Sequence, residues 1–560
     1  MDYSKQTARH SLLSSAWVVG LMTLLSRLTG VVVQRMVGAH LGLSNISDAY
    51  QIAYRLPNML RRFTAEGTMT AAFLPTLVDI DTKQGEAQAK KFVADFLGTL
   101  CAILLVICAV GVLLMTPITA LLMLGKLPGT GFLAQLEFMW GVLLGKENLP
   151  ADIALSATLG KIMFPYLLLV SITAAMAAVL NMRQRFALAA STNMWGNLAF
   201  IIVSWVAFHF MSQPHGCRAS IVFALALLVH GVVQIAILTF PYMRMGFRFG
   251  CTTKFSNPDV RLALSRMVPG IIAVGIHPIN VVVSQSLASR LGDGAQTVLA
   301  TSNLLGELVL GLFAVSMATV SLPAMSRLAS EGNLDGLRSS LGEALRGTAL
   351  FAIPGSVGMA LLATPIIAMI YHKGAFGAEA VAWTSATLPF QAIGLIFIAS
   401  ARISTQTLNA MKDYRGPALA ALVAFSCNVA FSLILMKPMG TNGMAMANSL
   451  SAFVGLGFLA WRLKYTLGRL PIWDVASGWL RMGIAATMMG LAAWYGNRLL
   501  QINDPHFFIG TLNISLRLFP LIAVCALLYF GLTMLLQVPE AKIFANAVYK
   551  KLAKKLYRMQ

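Results

Sequence analysis

A chain of 560 residues that is 57% hydrophobic and only 11% charged, with a mean hydropathy of +0.73, is a polytopic membrane protein and not a water-soluble globular enzyme. A net charge of +21 would point a soluble protein towards nucleic acid, but here the lysines and arginines lie between apolar spans, where they set orientation. The six cysteines are scattered, with no CxxC or Cys/His cluster, and indicate neither a metal site nor a disulfide framework.

The first apolar stretch, 11–38, begins like a signal peptide; no A-x-A cleavage site follows, so it reads as a retained helix. The second, 47–80, is the weakest in hydropathy and the most informative. Its residues Asp48, Arg55, Arg62 and Glu66 are spaced so that, at about 100° per residue, they fall within roughly 40° of one another. Ionised groups at bilayer depth are costly, so such a stripe faces a wet interior, pairs internally or binds something. Pro57 lies within it. Ten further spans follow at 92–123, 156–181, 188–212, 218–243, 263–289, 296–325, 344–370, 382–410, 417–436 and 441–462. Two more, 473–497 and 513–537, bring the all-α total to about 14 transmembrane helices. The tail after Val538 reads as a basic amphipathic helix lying on anionic inner-leaflet lipids.

With the N-terminus in the cytoplasm, about 25 basic residues fall on the inner side and about seven on the outer. Both termini are then cytoplasmic, and the 124–155 loop is outside. Removing the second span would move every later loop to the other side, so the same asymmetry supports that span.

The chain repeats internally. AAFLPTLVDI at the end of the second span matches TVSLPAMSRL at the end of the eighth. LNMRQRFALAA after the fourth matches LNAMKDYRGPALAA after the tenth. Two six-helix units in the same orientation follow, an architecture in which transporters place substrate between the halves. The expected divisions are 1–243, 244–470, a helix pair at 471–537 and a tail at 538–560.

These motifs resemble the MurJ (MviN) family of lipid II flippases, in the multidrug/oligosaccharidyl-lipid/polysaccharide exporter superfamily. The stretches that carry the resemblance are SRLTG at 26–30, the whole of 47–77, 164–190, SLPAMSRLAS at 321–330, KGAFGAEAV at 373–381 and LNAMKDYRGPALA at 408–420. The run Leu56–Gly67, LPNMLRRFTAEG, is the most specific. The resemblance implies a V-shaped transporter with two six-helix lobes and two further helices forming a lipid groove. Its implied cargo is an undecaprenyl-diphosphate-linked peptidoglycan precursor, moved outward in the bacterial cytoplasmic membrane. The family's cavity positions map onto Ser26, Arg27, Asp48, Arg61, Arg62 and Glu66, with Arg55 at a usually basic position. Two family arginines are absent: Val33 and Gln34 stand where Arg and Asp are usual, and Ser302-Asn303-Leu304 replaces an Ala-Asp-Arg motif. Arg35 and Arg402 are the candidates to supply the missing charge, and Glu307, which does match the family, is a further second-lobe candidate.

Arginine suits a diphosphate because it stays charged and can bond two oxygens at once. Arg27, Arg55, Arg61 and Arg62 are therefore the diphosphate candidates. Asp48 and Glu66 either hold these arginines or clamp a gate when cargo is absent; ion pairing alone would also account for them. His277, before Pro278, either lines the cavity or is simply hydrogen-bonded. No Walker A pattern occurs, no cofactor is expected, and a membrane potential or ion gradient would drive transport. The alternatives are another polyprenyl-linked glycan, a drug/cation antiporter, or a polyprenyl-phosphate-dependent membrane enzyme. The last should place clustered acids in a large outer loop, whereas Glu137, Glu147 and Asp152 are widely spaced.

Overall fold

The computed structural model describes residues 2–61, 73–128, 132–143, 147–211, 216–250, 253–501 and 511–546. Within these ranges the side chains of 2–21, 132–133, 136, 143, 268–275, 277, 312–320, 323 and 511–512 lie outside the description. The described chain is all helix, with a lone bridge between Lys373 and Phe376.

The helices, in order, are α1 (Asp2–Leu41), α2 (Asn45–Arg61), α3 (Leu74–Gln84), α4 (Glu86–Leu113), α5 (Met115–Leu122), α6 (Phe132–Leu143), α7 (Ala151–Met163), α8 (Tyr166–Met182), α9 (Phe186–Phe210) and α10 (Cys217–Arg244). They continue as α11 (Pro258–Ala288), α12 (Ala295–Ser330), α13 (Leu334–Leu361), α14 (Ala363–Tyr371), α15 (Ala378–Ile393), α16 (Leu395–Ala410), α17 (Arg415–Leu467), α18 (Ile472–Leu499) and α19 (Thr511–Leu535). Eight helical stretches among the described residues are long and apolar enough to cross a membrane. One of them, α17, is broken at Gly440, whose φ of 58° leaves the helical region, and so carries two of the fourteen expected spans. The expected second span is described as α2 and α3, and residues 62–72 between them lie outside the description.

The chain packs as two compact units. Unit 1 comprises residues 1–297 and 373–376; unit 2 comprises 298–372 and 377–560. The sequence repeat divides at 243/244, so the packing differs from it by assigning α11 to unit 1. The physical reason lies in the segment before and along α11. Asn257 donates to Asp95 (3.1 Å), the Lys254 amide donates to Thr99 Oγ1 (3.1 Å), and Arg266 donates to Thr76 (3.2 Å). These bonds strap α11 to α3 and α4.

Apolar burial supplies each unit's core. In unit 1, Phe73 stacks on Phe96 at 4.4 Å beside Phe92, backed by Met176, Leu180 and Tyr242. In unit 2, Met325, Leu337, Leu341, Leu408, Leu459 and Leu463 pack together. Helices α18 and α19, the expected extra pair, pack on each other, and α18 packs on α13.

The internal repeat recurs as backbone geometry. After α8 the Arg185 amide reaches back to the Leu180 carbonyl (2.8 Å), with Gln184 at φ 60°. After α16 the Asp413 amide reaches Leu408 (2.9 Å), with Lys412 at φ 63°. Both are six-to-one helix-ending turns with a left-handed residue, here formed without glycine. Equivalent strings in the two halves thus fold into the same turn.

Candidate functional site

The first cluster lies within unit 1, where α1, α2, α9 and α10 bring polar side chains into an otherwise apolar body. Ser26 and Arg27 are half-buried on α1. The Ser26 carbonyl accepts from Asn197 Nδ2 of α9 (3.1 Å), and the same amide donates to Thr29 Oγ1 (3.1 Å). On α2, Arg55 and Arg61 are half-buried, and Arg61 Nε donates to Asn58 Oδ1 (3.0 Å). That bond fixes one edge of a guanidinium. On α10, the buried His230 lies against Gly196, where an added Cβ would meet the ring at 2.7 Å. Arg62 and Glu66 lie outside the described residues, as does the side chain of His277. Arg35 is half-buried on α1, near the half-buried Val33 and Gln34. In unit 2, Arg402 is half-buried on α16, whereas Glu307 is exposed on α12.

Asp48 belongs to a different cluster. Arg55 lies seven residues further along α2, about 10 Å of helix. The Asp48 carboxylate is fully buried, and its partners among the described residues are backbone amides, Thr297 and Lys126. It accepts from the Gly294 amide (2.8 Å), the Thr297 amide (3.0 Å) and Thr297 Oγ1 (2.8 Å). Those amides open α12, so the carboxylate sits on a helix N-terminus, where unpaired donors and the helix dipole favour negative charge. Ser47 Oγ also meets Thr297 Oγ1 (2.9 Å). Of the two expected parts of Asp48, arginine holder and gate clamp, the bonds to the start of α12 supply the contacts of a clamp, whereas Arg62 lies outside the described residues.

Lys126 completes this cluster. Its ammonium lies 2.7 Å from Asn45 Oδ1, 3.1 Å from Asp293, 3.3 Å from Asp152 and 3.8 Å from Asp48. The Lys126 side chain is only 8% exposed and Asp48 is buried, while Asp293, 60% exposed, opens the group to water on one side. The adjacent Gly125 amide donates to Ser289 Oγ (3.2 Å), and a Cβ there would meet Arg290 at 2.4 Å. Close by in sequence, the end of α1 is strapped by residues 373–376: the Ala375 amide donates to the Ala39 carbonyl (2.8 Å). Gly42 and Gly374, at φ 60° and 58°, each leave room for the opposing carbonyl. Sequence reading missed Lys126, Asp152, Asp293 and Thr297. The available signal was topological, since all lie at expected outer ends beside Asp48.

At the expected inner ends, short ion pairs close each repeat's turn. Arg183 reaches Asp81 (3.0 Å) and Glu86 (3.5 Å). Asp413 accepts from Arg462 (2.7 Å) and from the Gly416 amide (3.0 Å). The Arg462 hydrogen bond holds the Asp413 carboxyl below its ordinary value of 3.8.

Comparison with known proteins places this arrangement. The profile of a family described as "Lipid II flippase MurJ" matches residues 37–513. A "Probable lipid II flippase MurJ" of Vibrio cholerae is 29% identical over 495 residues, covering 87% of this chain and 90% of its own. A "Lipid II flippase MurJ" of Burkholderia cenocepacia is 28% identical over 485 residues, covering 84% and 88%. Among solved structures, a lipid II flippase MurJ in an inward closed conformation aligns at a TM-score of 0.68 and 21% identity, over 92% of this chain and 98% of that one. A multidrug resistance MATE family transporter of the MOP superfamily aligns at 0.59 and 12% identity, over 78% and 99%, a likeness of fold alone. With the family profile spanning most of its length, this chain belongs to the lipid II flippase MurJ family.

Proposed function

We propose that this protein moves an undecaprenyl-diphosphate-linked peptidoglycan precursor from the inner to the outer leaflet of the bacterial cytoplasmic membrane by alternating access. It acts as a transporter without a cofactor. The observation that carries this reading is the set of half-buried arginines on α1 and α2, Arg27, Arg55 and Arg61, inside an apolar unit. Guanidinium groups at that depth offer paired, charge-assisted donors, and a diphosphate matches them with paired oxygens. Arg62 and Glu66 extend the set in sequence, and Ser26 lies beside Arg27. Arg35 and Arg402 remain the candidates to offset the arginines absent at Val33 and Leu304, with Glu307 a further candidate for the second half of the site. Asp48 serves as an outer latch, holding the start of α12 while the cargo site faces inward. Transport is driven by membrane potential or an ion gradient. Moving one negative charge outward, down an inside-negative potential, gains about 2.3 kcal/mol per 100 mV. Both termini are cytoplasmic, and the basic tail rests on anionic lipid.

Complementation of a strain depleted of its lipid II flippase tests the reading. Rescue by the wild-type chain is the expected result. Membrane insertion without rescue would sink it and favour a second reading, another polyprenyl-linked glycan, which the two missing arginines support. Labelling of Lys146→Cys by an impermeant thiol reagent tests the orientation, and reaction only after lysis refutes it.

A further inference from the structure

Helix α9 carries Asn193, Asn197, Phe200 and Ser204 at spacings of four, three and four, which places them on one face. Trp195, Ile202 and Val206, on the opposite face, are exposed as lipid-facing residues are. On the inward face Phe200 and Ser204 are buried, Asn197 is half-buried and Asn193 is exposed. Asn193 thus presents an accessible carboxamide on the protein-facing side of an apolar span, where hydrocarbon would offer its hydrogen-bonding groups nothing.

Gln234 of α10 is wholly buried and donates through Nε2 to Asn193 Oδ1 at 2.7 Å, while its own Oε1 finds no partner among the described residues. This bond orients the Asn193 amide and leaves its two N–H groups turned away from Gln234. One turn before Gln234, His230 packs edge-on to Tyr166, with ring centroids 5.7 Å apart, and α10 also packs on α2, which carries Arg61. One turn beyond Asn193, Asn197 fixes the Ser26–Thr29 turn next to Arg27. The same face of α9 therefore reaches the turn beside Arg27 and, through Gln234, the helix that packs on α2, and it carries no charge of its own.

We propose that Asn193, oriented by Gln234, binds the neutral hydroxyl- and amide-bearing sugar of the cargo beside the diphosphate held by Arg27 and Arg61. This rests on the transport reading above and assigns a specificity contact to it. A carboxamide adds nothing to a phosphate contact that arginine does not already provide. It pairs well with a hydroxyl or acetamido group, which donates and accepts at once.

The test measures the affinity of the purified full chain in nanodiscs for two probes, undecaprenyl diphosphate and the same lipid carrying an N-acetylated disaccharide. Asn193→Ala should weaken binding of the sugar-bearing lipid about tenfold, the loss of one good polar contact, and leave the bare diphosphate lipid within about twofold. Asn193→Gln should recover part of the loss, and Arg61→Ala should weaken both lipids. Equal losses for both probes with Asn193→Ala, or no loss for either, overturn the sugar contact. A wild-type chain that binds both lipids equally also overturns it, while leaving the transport reading standing. A wild-type chain that binds neither overturns both.

Discussion

Asp48→Asn is the most informative substitution at the outer latch. The change keeps the side chain's shape and one oxygen, which can go on accepting from the Thr297 amide and hydroxyl. It sets an NH2 group against the Gly294 N–H, which now donates at 2.8 Å to the other oxygen. A buried donor left unpaired costs about 1–3 kcal/mol, and losing the charge at the α12 N-terminus adds about 1. The total of about 2–4 kcal/mol corresponds to a shift of about 30- to 700-fold in an equilibrium. If the turn before α12 leaves Asp48 when the outer side opens, that cost falls on the latched state alone. In a cysteine-free background, Ser47→Cys places a thiol at a buried position next to Thr297. Its reaction with an impermeant maleimide from outside should then accelerate at least tenfold in Asp48→Asn. An unchanged labelling rate, with thermal stability lowered by the same free energy, would refute the latch and make Asp48 a strut of the fold.

Arg62→Lys keeps charge but loses the two-pronged guanidinium; it should insert normally yet bind diphosphate lipid at least tenfold more weakly, and wild-type transport by both Arg62→Lys and Arg62→Ala removes Arg62 from the site. Gly374→Ala should release the strap on α1, because its Cβ would meet the Ala39 carbonyl at 2.3 Å and its φ is positive, whereas Gly377→Ala, with open space around it, should be neutral. Faster outer-face labelling of Ser47→Cys in the first and not the second is the expected pattern, and equal behaviour of the two variants contradicts it. The Asp413–Arg462 pair stabilises the protein above the unfolded carboxyl value near 3.8, and that contribution disappears as pH falls through the lower folded value. Melting curves in detergent should therefore show wild type and Asp413→Asn converging in strong acid and separating at neutral pH; a constant gap across that range would exclude a charge-dependent role.

The amino-acid sequence by itself determined the helical class, the internal repeat and the basic-residue asymmetry, because each depends on signals that are local along the chain. Apolar length marks a span, and short strings such as LNMRQ and LNAMK specify the same turn in both halves. The charged face of α2 was equally legible, since helix periodicity alone aligns Asp48 with Arg55. What that charge binds was decided by tertiary structure. The Asp48 oxygens are taken by backbone amides of Gly294 and Thr297, some 250 positions away, and a backbone N–H is carried by every residue but proline, so no side-chain pattern announces it. The same holds for Asn193, one polar residue in an apolar helix until Gln234 of α10 fixes its amide. The grouping of α11 with unit 1 likewise comes from Asp95, Thr99 and Thr76 meeting a distant segment, contacts that exist only once the chain has folded.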